Sequence, residues 1–194
     1  MPRARPRRSV ELTDPRALRA VAHPLRLSLI SLLRREGPLT ATQAGARVGE
    51  SPASCSFHLR QLAKYGLVEE AGGGRGRERP WRATAQFTSW PGVADDPELE
   101  AASQLLSKVV AERYFQRAFD WLERLPKEPT EWAEAAAFGD AMLYLTAEEL
   151  ASLRQKLVSL AERYGERTAD PSLRPEGSRL VTFLQLAFPE ARDG

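Results

Sequence analysis

The sequence predicts an α+β fold that is mainly α. Three observations predict it. Between residues 14 and 66, four segments of helical periodicity follow one another, three of them closed by glycine. Residues 67–85 then change to short runs around the glycines at 72, 73, 74 and 76. From about residue 98 to 125, apolar residues recur at helical spacing without a break.

Each element has its own signal. Asp14 is a good N-cap with Pro15 at the first helical position, so a helix should run from about 15 to 22. A second begins at His23-Pro24, is dense in leucine, and should end at Gly37-Pro38. Thr40 caps a short helix over 41–48, broken at Gly49. Ser51 and Pro52 open the fourth, which runs to about Tyr65 with Gly66 as its left-handed stop. Leu67 and Val68 start a strand, and Trp81, Ala83 and Ala85 alternate as the returning one. The order is helix, helix, tight turn, helix, strand, hairpin, strand, which is that of a winged helix-turn-helix.

Residues 88–97 read as a linker, and Asp96-Pro97 opens the long helix. Its apolar stripe is wider than one intrachain contact needs, so it is expected to pair two copies of the chain. Leu99, Leu106, Val110 and Phe115 are its candidate dimerisation residues. Residues 132–137 are a short helix or an irregular piece. Thr146 with Glu149 forms a capping box for a helix ending near Tyr164-Gly165. The flanking runs 138–145 and 180–188 are apolar and β-rich, so a small C-terminal strand-helix-strand unit is expected. The divisions are a basic disordered arm over 1–12, the winged helix-turn-helix over 13–90, and a dimerisation and effector region over 96–194.

Charge separates the halves. Residues 1–90 hold 15 Arg and 1 Lys against 7 acids, a balance of +9, whereas residues 91–194 balance at −7. The first half carries the field of a polyanion binder. In the fourth helix, Cys55, Leu59 and Leu62 share the inward face, with His58 at its edge. Ala53, Ser56, Phe57, Arg60 and Lys64 face outward, small near the N-terminus and basic toward the C-terminus. Such a face suits a major groove, with cations near phosphates. The candidate DNA contacts are Ser51, Ala53, Ser54, Ser56, Phe57, Arg60 and Lys64 from this helix. Thr40 and Gln43 join them at phosphate, and Arg75, Arg77 and Arg79 serve from the hairpin.

Around these residues the chain resembles the ArsR-type winged helix-turn-helix repressors of bacteria. The marks are Ala22-His23-Pro24-Leu25-Arg26, the Ser56-x-His58-Leu59-x-x-Leu62 core, and the Gly66-Leu67-Val68 exit into the wing. They cover residues 12–90, and the longer C-terminal region is similar to extended regulators of actinobacteria. The resemblance implies a homodimeric repressor with recognition helices in adjacent major grooves of an inverted-repeat operator. It also leaves open a small-molecule effector of unknown identity. Metal-sensing members carry paired cysteines or histidine and acidic ligands, and TATQAGARVG at 40–49 has neither cysteine nor histidine.

Other chemistry finds little support. Two histidines and one cysteine assemble no tetrahedral zinc site within one chain unless acids join them, so no metal or cofactor is expected. His23 reads as a helix-opening residue whose imidazole caps or packs, and His58 as half-buried and hydrogen-bonded. Cys55 reads as a small inward hydrophobe rather than a redox switch. The run GGGRG lacks the Lys-Ser/Thr of a phosphate loop, and no catalytic triad or acid pair emerges, so an enzyme is not expected. The absence of a long apolar run and of an apolar leader points to a cytoplasmic protein without membrane contact. The expected function is DNA-binding transcriptional regulation. A protein-interaction adaptor and a sensor with an aromatic-lined C-terminal pocket are the alternatives.

Overall fold

The structure is a computed structural model that describes residues 7–73 and 79–191. The chain is α+β and mainly helical, with an N-terminal helix-turn-helix and one long helix. It divides into two units at Glu123/Arg124. The long helix therefore belongs to the N-terminal unit, not to a C-terminal domain starting at residue 96.

The N-terminal unit begins with β1 (Arg7–Glu11), where a disordered arm was expected. β1 pairs in parallel with β4 (Ala85–Ser89), in the register Arg7 to Ala85 and Glu11 to Ser89. Leu12 explains the pairing. Its side chain is buried in the core and its N–H donates to the Ser89 carbonyl at 2.8 Å, so the strand is tied down at its C-terminal end. Basic residues in this segment suggest a solvated arm, but the backbone of a strand pairs regardless of side-chain charge.

α1 (Pro15–Val21) is capped by Asp14, which accepts the Arg16 N–H at 2.8 Å. α2 (Pro24–Glu36) ends at Gly37, where φ is +82°. α3 (Ala41–Val48) opens on a full capping box between Thr40 and Gln43. α4 (Pro52–Lys64) opens on Ser51, whose Oγ accepts the Ser54 N–H at 3.1 Å. Gly66 comes after it with φ of +71°, the left-handed stop its position calls for.

These helices close over one core. Cys55, Leu59 and Leu62 of α4 are fully buried among Leu18, Leu29 and Leu33. Burial pushes the Cys55 thiol up, which keeps it protonated and unreactive. The long helix α5 (Pro97–Arg124) joins the same core through Ala102, Ser103 and Leu106, with Leu99 and Val110 packed beside them. The Arg113 guanidinium of α5 donates to Ser28 Oγ of α2 at 2.6 Å, and Trp90 Nε1 donates to Ser107 Oγ at 2.9 Å.

The wing is smaller than its sequence suggests. β2 (Val68–Glu70) pairs antiparallel with β3 (Trp81–Ala83), and Leu39 bridges to Trp81. The returning strand breaks at Thr84, whose hydroxyl donates to the Gly66 carbonyl at 2.7 Å. Ala85 consequently starts β4 and pairs with β1 instead. Arg34 locks this corner. Its Nε donates to the Ala85 carbonyl at 2.9 Å and its Nη2 to Thr88 Oγ1 at 2.6 Å. Both acceptors are neutral, so burial lowers the guanidinium pKa to about 10.

The C-terminal unit contains α6 (Thr130–Ala135), α7 (Ala147–Glu162) and α8 (Glu166–Ala169). The Thr146–Glu149 capping box opens α7 as predicted. The two strands expected beside α7 do not form. Residues 138–145 and 180–188 carry no strand, and no backbone hydrogen bond joins them. A strand exists only against an edge, and here neither run is offered one. Phe138, Tyr144, Val181 and Phe183 remain exposed, so no aromatic-lined pocket encloses them. Arg179 instead pairs with Glu128 at 2.7 Å and stacks over Trp132, which holds the last segment to α6.

Candidate nucleic-acid interface

α4 presents one clean exposed row. Ala53, Phe57, Arg60 and Lys64 lie along it at steps of four, three and four residues, with Lys64 at its end. Cys55, Leu59 and Leu62 anchor the opposite face, so the row is fixed to a rigid backing. Ser51 is exposed at the tip, and Ser54 and Ser56 are half-buried beside the row. Arg60 makes no hydrogen bond or ion pair with any described residue. Its five donors are therefore available to a guanine edge or a phosphate. Lys64 lies 5.7 Å from the Tyr65 ring, at the end of the helix where its charge complements the dipole.

Phe57 is the large apolar member of the row, at 52 % exposure. Its ring meets the His58 ring edge-on, with centroids 5.2 Å apart. That contact restricts its swing and leaves a flat apolar surface at the middle of the row. Such a surface suits a thymine methyl.

α3 sets the angle of α4 through two glycines. Gly49 ends α3 at φ +73°. Gly45 is buried, and a Cβ built on it would lie 2.5 Å from the Glu50 carbonyl oxygen. The chain can turn this tightly only because residue 45 has no side chain. The capping box occupies Thr40 Oγ1 and the Gln43 N–H, with the Gln43 Oε1 accepting from the Thr40 N–H at 2.9 Å. Gln43 is exposed and keeps its side-chain NH₂ for a phosphate, and the Thr40 hydroxyl, which only accepts in the cap, keeps its O–H donor. Arg47 donates to Glu36, which also takes an ion pair from Arg35, and these guanidiniums hold the Glu36 carboxyl below its ordinary value.

Of the three hairpin arginines, Arg75 and Arg77 lie outside the described residues. Arg79 is described, and it pairs with Glu70 across the wing at 3.0 Å. Arg82 pairs with Glu69 at 2.7 Å in the same way. Both bridges reach solvent, so a phosphate can displace the carboxylates at little cost. Glu69 stands directly opposite Arg82 in the β2–β3 register, whereas Glu70 stands opposite Trp81 and meets Arg79, two positions before Trp81.

The four dimerisation residues do not lie together. Leu106 is fully buried in its own core, and Leu99 and Val110 pack against that core. A helix on a domain surface spends one stripe on that domain first, and the sequence does not say which. Phe115 alone is exposed. It belongs with Leu105, Phe119 and Leu122 on the opposite side of α5.

His23 caps α2, its Nδ1 accepting the Leu25 N–H at 3.2 Å. His58 is half-buried as expected, but its buried Nδ1 has no hydrogen-bond partner among the described residues. Instead the two imidazoles meet, with ring centroids 4.6 Å apart. Their separation in sequence by 35 positions hides this contact. No group of three or more potential metal ligands occurs among the described residues. No helix among them is long and apolar enough to cross a membrane.

No curated protein matches the chain. Residues 21–71, from the end of α1 to the base of the wing, match the family model of a helix-turn-helix domain. With the exposed basic row on α4, that match supports a DNA-binding transcriptional regulator.

Proposed function

We propose that the chain is an ArsR-type repressor, which binds an inverted-repeat operator as a homodimer and acts by occupancy, with no chemical step. The observation that carries this reading is the α4 row of Ala53, Phe57, Arg60 and Lys64, mounted on the buried Cys55, Leu59 and Leu62. The row enters the major groove, the wing lies along the backbone, and Gln43 takes a phosphate. The +9 balance of residues 1–90 supplies the long-range attraction. An effector, if the regulator has one, would act on the C-terminal unit.

Binding to operator fragments tests this. With about 6–10 phosphates neutralised by a dimer, affinity falls ~10³–10⁵-fold between about 50 and 200 mM salt. A domain that binds no genomic fragment at low salt, or binds without salt dependence, is an interaction adaptor instead. Arg60→Ala separates readout from attraction. It costs specific binding ~1–3 kcal/mol and relaxes the preference at one base. Lys64→Ala weakens all sequences about equally, because a phosphate contact carries little sequence information. The reverse pattern would exchange the two roles.

A further inference from the structure

The start of α2 touches α4 through a pair of imidazoles. His23 and His58 meet ring to ring at 4.6 Å, tilted by 40°. Phe57 closes the edge of His58. Arg26, in the first turn of α2, has its buried Nε without a hydrogen-bond partner among the described residues, as His58 has its Nδ1. Glu50, in the turn between α3 and α4, is the acid whose field reaches both rings, and the field of Tyr65 reaches Arg26. One carboxylate, that of Glu50, thus opposes the downward shift of both imidazoles, while Arg26 reinforces it.

This arrangement works for neutral rings only. The His23 Nδ1 must carry a lone pair to accept the Leu25 N–H, so its proton sits on Nε2. Protonation there sets two donors against each other and removes the cap of α2. Protonation of His58 places a cation against His23 and close to Arg26, inside a half-buried contact. We propose that His23 and His58 form a proton-operated latch, which holds the recognition helix against the start of α2 only while both rings are neutral. Its effect on operator affinity rests on the DNA-binding reading above; its effect on stability does not.

The direction is set by the surroundings. Burial, with Arg26, pushes both imidazoles below the ordinary value of 6.5, and His23 adds to the shift of His58. An unfolded or unlatched histidine keeps about 6.5. The latch therefore contributes fully above that pH, and its contribution falls as pH drops from 6.5 through the folded values. Each coupled proton changes the equilibrium by up to about tenfold per pH unit. Glu36 titrates lower, since its shift is downward from 4.5, and stays out of this window.

The chain has only two histidines, so NMR of the imidazole Cε1–H groups gives two resonances, assignable from single variants. Both should titrate below 6.5, and either one titrating at or above 6.5 overturns the latch. The comparison uses His23→Asn with His58→Phe, which keeps a cap acceptor and a neutral ring. From about pH 7.5 to 5.5 at fixed salt, the wild type should lose stability and about tenfold or more in operator affinity, while the double variant changes little. Parallel changes in both proteins overturn the proposal. So does acid that tightens operator binding in the wild type alone, because phosphates would then govern the rings. If the double variant does not fold, His23→Asn alone decides: the His58 pKa should rise toward 6.5, and an unmoved value refutes the coupling. Loss of stability with no operator binding at any pH supports the latch and refutes the DNA reading separately.

Discussion

Gly45→Ala should unfold the turn between α3 and α4 far more than its single methyl suggests. The new Cβ lies 2.5 Å from the Glu50 carbonyl oxygen and 3.5 Å from the Pro52 nitrogen. Both are backbone atoms, so no side chain can rotate away. The Glu50 N–H also donates to the Gly45 carbonyl at 3.0 Å, which fixes the two segments to each other. Relief requires α3 and α4 to separate. The cost is about 3 kcal/mol, the upper end for overpacking a buried site, and recognition needs α4 where the turn now puts it. Specific DNA binding should fall at least about tenfold even where the domain still folds. Gly49→Ala is the control. Its φ is +73° but nothing lies within 4 Å of its Cβ, so the penalty is the left-handed backbone alone, about 1–2 kcal/mol. Denaturant unfolding of both variants decides. Equal stability losses would mean that the close approach at residue 45 relaxes freely.

The four helices of the N-terminal unit are legible in the sequence because each start carries its own chemistry. Asp14, His23, Thr40 and Ser51 all cap through a side-chain acceptor, and Pro15, Pro24 and Pro52 sit at first helical positions. The outward row of α4 is legible for the same reason, since helical spacing alone fixes which residues share a side. Features that depend on distant partners are not. β1 needs β4, more than 70 positions away, and the Arg34 lock needs the Ala85 carbonyl. His23 and His58 read singly as a cap and a packed ring, and only the fold brings their rings together. In the C-terminal unit the same rule works in the negative. Residues 180–188 have the composition of a strand, but composition supplies no edge. The breadth of the α5 stripe shows in its sequence, while its division between two faces does not.

That division redirects the test of dimerisation. Charging Leu106 or Val110 would break the domain's own core, so loss of pairing would mean nothing. Phe115 and Phe119 are 51 % and 56 % exposed and face away from that core. With Leu105 and Leu122 they form an apolar row on the free side of α5. Burying such a row against its two-fold mate is the arrangement the homodimer reading requires. Phe115→Glu with Phe119→Glu should leave the N-terminal unit folded, because neither ring contributes to its core. Across a two-fold axis the new carboxylates would meet their own copies, desolvated and unpaired. The double variant should therefore sediment as a monomer. Operator affinity should fall about a hundredfold or more, since the second half-site is no longer delivered at high effective concentration. The salt slope should fall by about half with it, because one subunit neutralises half the phosphates. A folded variant that stays dimeric places the interface elsewhere. A monomer that keeps full operator affinity would show that one recognition helix is sufficient and that the inverted repeat is not the target.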